Sequence, residues 1–195
     1  MIPALFLIIV AVIYRIASAV IVQHGGVGWL SNFAPLAAIA LCGAIYFPRK
    51  YKFTAPFAAL LVSDLVLDFY YGASLADPLI LCRYVAFALV GLLGLAISRR
   101  ASLATIIPTS LAGSTIFYAI TNFFSWLTDP GYVKNFAGLV QALTVGLPQY
   151  GAPTWVFFRN SLVSDLFFTI LFVACMHWSA APARQAAPVA RPLTH

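Results

Sequence analysis

Long apolar stretches separated by short polar connections dominate this sequence. Most of these stretches approach the roughly 20 apolar residues that a helix needs to cross the hydrocarbon core of a bilayer. The second stretch is short for a full span, although it could begin near Val27. The pattern predicts an all-α, polytopic membrane protein, folded as a compact bundle of about six transmembrane helices. The predicted helices cover residues 4–23, 33–47, 54–71, 79–97, 104–127 and 157–178.

The chain beyond the last apolar stretch has a different composition. Residues 179–195 are rich in Ala and Pro and lack apolar periodicity, which is typical of disorder. We therefore expect a six-helix transmembrane domain at 1–178 and a disordered cytoplasmic tail at 179–195. The connection 128–156 contains an apolar segment too short to cross a bilayer. It predicts either a lid over the bundle or a helix resting on the membrane interface.

Composition and charge placement agree with a membrane location. Only 8% of the 195 residues are charged and 63% are hydrophobic, whereas roughly a quarter of a soluble domain is charged. If the spans alternate in direction, the basic clusters fall on one side, and Lys134 is the only basic residue in the connections on the other. Positive charge marks the cytoplasmic side. We expect a multi-pass protein of the cell (inner) membrane with both termini in the cytoplasm, and no nucleic-acid partner. The clustered basic residues are Arg49, Lys50, Lys52, Arg99, Arg100, Arg184 and Arg191.

The first apolar stretch has an alternative interpretation as a signal peptide. Ala17-Ser18-Ala19 follows an apolar core in the manner of an A-x-A cleavage site. However, no basic segment precedes that core, and Arg15 interrupts its end. These two features favour a retained transmembrane helix.

Six charged residues lie within or at the edges of the predicted spans. Buried charges in a membrane are costly and usually pair or face a cavity. Asp68 and Arg83 lie near the outer ends of consecutive helices, which predicts a structural ion pair between them. Asp64 and Asp165 lie deeper and are candidates for the wall of a cavity. Complete neutralisation of three acids by Arg15, Arg83 and Arg159 is the structural alternative.

Further polar and aromatic side chains fall at the same outer level of the predicted bundle. Aromatic residues there are typical of a membrane-interface belt. Their proximity to amide and charged groups also suits an aromatic-walled pocket with a few convergent polar groups. The candidate ligand-binding residues are Asp64, Tyr71, Asn122, Trp126, Arg159, Asn160 and Asp165.

Small residues repeat at helical spacing along the second span. Ala34-x-x-x-Ala38 and Ala40-x-x-x-Ala44 would allow another helix to approach closely. The spacing predicts either packing within the bundle or contact with a helix of a partner subunit.

Four motifs resemble an uncharacterised bacterial six-span family of suggested transport proteins. They are "SNFAPLAAIALCGAIYF", "LLVSDLVLDFYYG", "TNFFSWL" and "FFRNSLVSDLFFT". That family distantly resembles the substrate-binding (S) components of energy-coupling-factor transporters. The resemblance implies a module that captures a small, vitamin-like molecule near its outer face and works with a transmembrane coupling subunit and cytoplasmic ATPases. It also implies that Ala34, Ala38, Ala40 and Ala44 contact the coupling subunit.

Other functional classes receive less support from the sequence. There is no H-E-x-x-H or G-x-S-x-G motif, and the three cysteines lack metal-ligand spacing, so we expect no enzyme, metal site or cofactor. A non-transporting scaffold of the cell envelope remains an alternative. So does an ion- or proton-coupled stand-alone transporter, with Asp64 or Asp165 as the carrier group. The expected partners are the lipid bilayer, a small-molecule ligand and the subunits of a larger transporter.

Overall fold

The computed structural model shows an all-helical chain, which confirms the predicted fold class. The description covers residues 2–25, 33–74 and 77–185, without the side chains of residues 180–185. Short 3-10 turns lie at Ser98–Arg100 and Pro148–Tyr150. The α-helices are α1 (Ile2–Gln23), α2 (Leu36–Tyr46), α3 (Thr54–Tyr71), α4 (Pro78–Ile97), α5 (Leu103–Thr128), α6 (Phe136–Ala142) and α7 (Thr154–Gln185).

Five of these helices, α1, α3, α4, α5 and α7, are long and apolar enough to cross a membrane. The second predicted span contains only the 11-residue helix α2, whose length is about 16 Å at 1.5 Å per residue. This is about half of the bilayer's hydrocarbon thickness of about 30 Å. The bundle thus combines five helices of spanning length with one short apolar helix.

Helix α2 lies in the centre of the bundle. It contacts α1, α3, α4, α5 and α7, and every residue from Ala37 to Ala44 is buried. A helix that is apolar on all sides is typical of such a fully enclosed position. A Cβ atom at Gly94 would lie 2.6 Å from the Leu41 carbonyl oxygen, so α4 and α2 pack closely where Gly94 lacks a side chain.

Local sequence signals account for several helix ends. Pro35 precedes α2, and Pro48 follows it by two residues; a proline ring is tolerated at the start of a helix and opposes continuation at its end. Helix α3 ends at Gly72, which takes a left-handed conformation with φ of 65°. The Asp77 carboxylate accepts a hydrogen bond from the Leu79 N–H at 2.8 Å and caps α4.

The α2–α3 and α4–α5 connections lie at the same end of the bundle. The carboxyl-terminal part of α4 meets that of α2 at Gly94 and Leu41, and Lys52 donates to the Ala44 carbonyl at 2.6 Å. The basic residues of these two connections therefore share one end, as expected from the alternating pattern. Helix α6 belongs to the α5–α7 connection at the other end.

The last helix is longer than the predicted span. Helix α7 continues to Gln185, beyond the expected boundary at residue 178. Residues 186–195 of the expected tail lie outside the described residues. The same is true of Val27, where the second span could have begun, and of the first two residues of the "SNFAPLAAIALCGAIYF" motif.

Candidate functional site

A cavity of about 550 Å³ opens between the helices at the end opposite the basic connections. Its walls come from α1, α3, α4, α5 and α7, together with the segment just before α2 and the first residue of α2. The volume falls within the range of roughly 300–1,000 Å³ that is typical of small-molecule sites. Helix α2 covers only about half of a membrane crossing, and of its residues only the first, Leu36, borders the cavity.

One wall of the cavity carries a cluster of charges. Asp64 Oδ1 accepts hydrogen bonds from Arg15 Nη2 at 2.6 Å and from Arg83 Nη1 at 2.7 Å. Arg15 also donates to the Ser63 hydroxyl. Asp64 and Arg15 are 3% and 7% exposed, so their attraction operates where solvent screens it weakly. One carboxylate thereby links α1, α3 and α4.

The expected Asp68–Arg83 ion pair is corrected by this arrangement. Arg83 contacts Asp64, one helical turn deeper than Asp68, because its long side chain reaches further into the bundle. Asp68 lines the cavity and is only 9% exposed. Its Oδ2 atom has no hydrogen-bond partner among the described residues. The cavity wall therefore contains a carboxylate with one buried oxygen that receives no hydrogen bond from the described residues, and Asp64 Oδ2 behind it is in the same situation.

Asp165 holds the beginning of α2 against α7 and α5. Its Oδ1 accepts a hydrogen bond from the Ala38 N–H at 2.9 Å, and its Oδ2 accepts one from the Ser114 hydroxyl at 2.8 Å. The amino-terminal end of a helix favours negative charge, since its N–H groups lack partners within the helix. Within the described part of the chain, Asp165 has no arginine or lysine partner. It fixes the floor of the cavity with uncharged donors.

The wall formed by α5 and α7 is aromatic and weakly polar. Phe117, Tyr118 and Phe157 line it together with Thr121 and Asn122. The Tyr118 hydroxyl donates to the Leu143 carbonyl at 2.8 Å, which connects this wall to the end of α6. The cavity thus has one charged side and one side suited to an apolar or aromatic group.

The predicted ligand-binding residues divide into three groups. Tyr71, Asn122 and Asp165 line the cavity. Asp64 lies behind the wall, where it contacts both arginines. Trp126, Arg159 and Asn160 are not among the residues that line the cavity.

These three residues have other contacts. The Trp126 Nε1–H donates to the Val133 carbonyl at 2.9 Å. The Trp126 ring packs against the connection after α5. Arg159 lies 5.6 Å from the Trp155 ring and donates to Asn160 Oδ1 at 3.1 Å. Trp126 and Arg159 belong to the connections and the outer surface of the bundle, whereas Asn160 is buried in α7 at 4% exposure.

The alanines of the second span pack inside the chain. Ala38, Ala40 and Ala44 are at most 2% exposed within the chain, which leaves little of their surface for the partner contact implied by the S-component resemblance. Of the two alternatives, packing within the bundle is the one observed. Ala34 is half-buried and lines the cavity.

Sequence reasoning missed several residues of the cavity. Arg15 and Arg83 were assigned to charge pairing alone, although both also line the cavity. Ser18, Ser114 and Ser161 gave no distinctive signal, because isolated hydroxyl residues are common in membrane helices. Helical periodicity on α1 could have placed Ser18 and Arg15 on one face, since they lie three residues apart.

Together the apolar bundle and its polar cavity indicate a helical integral membrane protein with a cavity between its helices. The chain belongs to a family of unknown function, DUF6580, whose model matches residues 1–187. No curated protein and no solved structure matches the chain. The family description names no transport role, so the resemblance to S components enters only as a proposal.

Proposed function

We propose that the protein binds a small molecule in the cavity between α1, α3, α4, α5 and α7, as the substrate-binding subunit of a larger membrane transporter. The observation that carries this proposal is the 550 Å³ cavity with the unsatisfied Asp68 carboxylate in its wall. A scaffold without a ligand has no need of a carboxylate beside a cavity whose buried oxygen lacks a partner, since such a group costs stability. The proposed role is binding without catalysis.

The location of the cavity supports capture from outside the cell. It lies at the end opposite the basic connections, and basic connections mark the cytoplasmic side. A molecule would enter at the outer face and rest above α2. A coupling subunit and ATPases would then supply the energy, because the sequence carries no G-x-x-x-x-G-K-[ST] motif for binding ATP.

Native mass spectrometry of the protein, gently extracted from its own membrane, tests this proposal. We expect a retained small molecule of defined mass, and co-extracted coupling and ATPase subunits. A retained molecule without these subunits would favour the stand-alone transporter. A protein that carries only lipid and envelope proteins would contradict the proposal and favour the scaffold.

A matched pair of variants on α1 shows whether the retained molecule occupies the cavity. Ala19 lines the cavity, whereas Ala17 is exposed on the outer surface of the same helix. Ala19→Phe should displace the molecule from the spectrum, and Ala17→Phe should leave it in place. Equal retention by both variants would place the molecule elsewhere on the protein.

A further inference from the structure

On the charged wall of the cavity, Asp68 and Arg83 have hydrogen-bonding capacity that the described residues do not fill. Asp68 Oδ2 has no hydrogen-bond partner among the described residues. Arg83 lines the cavity with a side chain that is 23% exposed, and its contact with Asp64 uses only Nη1. A guanidinium has five N–H donors, so Arg83 can serve a second acceptor. The cavity therefore offers an acceptor and a donor on neighbouring helices.

These two groups lie close together. Asp64 and Asp68 are one turn apart on α3, a spacing that brings side chains within roughly 5–6 Å of each other. Because Arg83 contacts Asp64 at 2.7 Å, its guanidinium lies about one turn below Asp68. One small molecule could therefore meet both groups with two neighbouring substituents.

We infer that the cavity takes a compact zwitterion, in which a protonated amine binds Asp68 and a carboxylate binds Arg83. This inference rests on the proposed binding function and specifies its ligand class. Hydrogen bonds between two charged groups are roughly twice as strong as neutral ones, and a carboxylate suits the planar guanidinium.

The charge balance of the wall favours a zwitterion over an ion of one sign. On this wall Arg15 and Arg83 are balanced by Asp64 and Asp68, so its four side chains sum to zero. Asp165, on the floor, adds a carboxylate whose two oxygens accept hydrogen bonds from the Ala38 N–H and the Ser114 hydroxyl. A ligand that placed a single charge against the wall would leave a charge there uncompensated at low dielectric, which is costly. A zwitterion satisfies both Asp68 and Arg83 and leaves the sum over the wall at zero.

The side chains of the remaining walls indicate which substituent the ligand carries besides its two charged groups. Phe117 and Phe157 line the side formed by α5 and α7, and Leu67 and Val22 lie on the other helices around the cavity. An apolar or aromatic substituent would pack against these side chains. The inferred ligand class is thus an amino-acid-like molecule with an apolar side group.

Three matched probes test the inference on the full-length protein in lipid nanodiscs. L-phenylalanine carries both charges, L-phenylalanine amide carries only the ammonium, and 3-phenylpropanoate carries only the carboxylate. We expect calorimetry to show at least ten-fold tighter binding of the zwitterion than of either analogue. Asp68→Asn should lower zwitterion affinity about ten-fold or more, while Asp77→Asn, the same change at an exposed helix cap, should leave it unchanged.

The outcomes separate this inference from the proposed function. An amide or propanoate that binds as tightly as the zwitterion would overturn the inference. So would wild-type affinity in a folded Asp68→Asn variant. Where no probe binds, the molecule retained in native mass spectrometry decides. A retained compound with both an amine and a carboxylate supports the inference, and one lacking either group overturns it while the binding function stands. No probe binding and no retained molecule would overturn both.

Discussion

At the scale of single residues, Asp64 has the strongest structural effect. It is 3% exposed and accepts hydrogen bonds from two arginines on different helices, so α1, α3 and α4 depend on one carboxylate. Breaking a buried ion pair by removing one partner typically costs about 3–5 kcal/mol, because the other charge stays buried and uncompensated. Asp68 makes no corresponding ion pair among the described residues.

We therefore predict that Asp64→Asn lowers the thermal stability of the detergent-solubilised protein more than Asp68→Asn does. The first substitution should cost about 3 kcal/mol or more, since it affects both Arg15 and Arg83. Adding Arg83→Gln should recover part of the loss from Asp64→Asn but none of the loss from Asp68→Asn. Thermal unfolding of the three single variants and the two double variants measures both couplings. Recovery in the Asp68 background instead would mean that Arg83 pairs with Asp68.

The residue scale also shows how far the sequence could predict this site. The buried charges indicated that arginines and aspartates would pair within the bundle, as Arg15 and Asp64 do, and three of seven candidate residues line the cavity. The prediction that Arg83 pairs with Asp68 was wrong, because depth along a helix fixes a backbone position but not how far a long side chain reaches. Trp126 and Arg159 lie at the expected end of the bundle, but their contacts direct them to the connections and surface.

At the scale of helices, α2 is the central packing element of the bundle, because it is short and its side chains are small. Its alanines let α4 approach closely, and Asp165 fixes its first turn. The sequence showed small residues and a short apolar stretch. It could not show that the stretch lies at the centre, because small-residue spacing is equally compatible with contact to another subunit.

Ala44→Leu is expected to destabilise the bundle. Ala44 is fully buried, and its Cβ lies 3.0 Å from the position of a Cβ at Gly94, so a larger side chain would push α2 and α4 apart. Overpacking of this kind typically costs about 1–3 kcal/mol. Ala96→Leu, at an exposed position of α4, is the matched control and should change the melting temperature little. A stable Ala44→Leu variant that loses only a co-purifying subunit would instead support the partner contact.

The connection that carries α6 provides a pH-dependent contact outside the spanning helices. The Tyr150 hydroxyl donates to Asp129 Oδ2 at 2.6 Å, and the Gly131 N–H donates to Oδ1 at 2.8 Å. Both bonds stabilise the ionised carboxylate and hold the pKa of Asp129 below its ordinary value of 3.8. Its contribution is therefore complete above the ordinary value and is lost as the pH falls through the lowered one.

Acidification below pH 3.8 should therefore loosen residues 129–150. Amide hydrogen exchange, corrected for the intrinsic effect of pH, should show a loss of protection in this segment between neutral and strongly acidic conditions. Tyr150→Phe removes the main cause of the shift and should start with lower protection and a weaker response to pH. An unchanged response in this variant would show that another group controls the segment.

At the scale of the whole molecule, the bundle has two chemically different ends. One end carries the basic connections, and the other carries the cavity and the α6 segment. A transporter subunit that captures its ligand from outside requires the cavity end to face outward. Under the proposed function, the direction of transport would therefore depend on the orientation of the molecule in the membrane.

Labelling of single cysteines in intact cells tests this orientation. We predict that a membrane-impermeant maleimide modifies Gln149→Cys, at the cavity end, and leaves Arg99→Cys, in a basic connection, unmodified until the cells are opened. Both positions are exposed, so access depends on the side of the membrane and not on packing. The native Cys42 and Cys82 are buried, and a variant in which all native cysteines are replaced by alanine gives the background. The opposite labelling pattern would place the cavity at the cytoplasmic face, where the same site would serve export or sensing of an internal molecule instead of uptake.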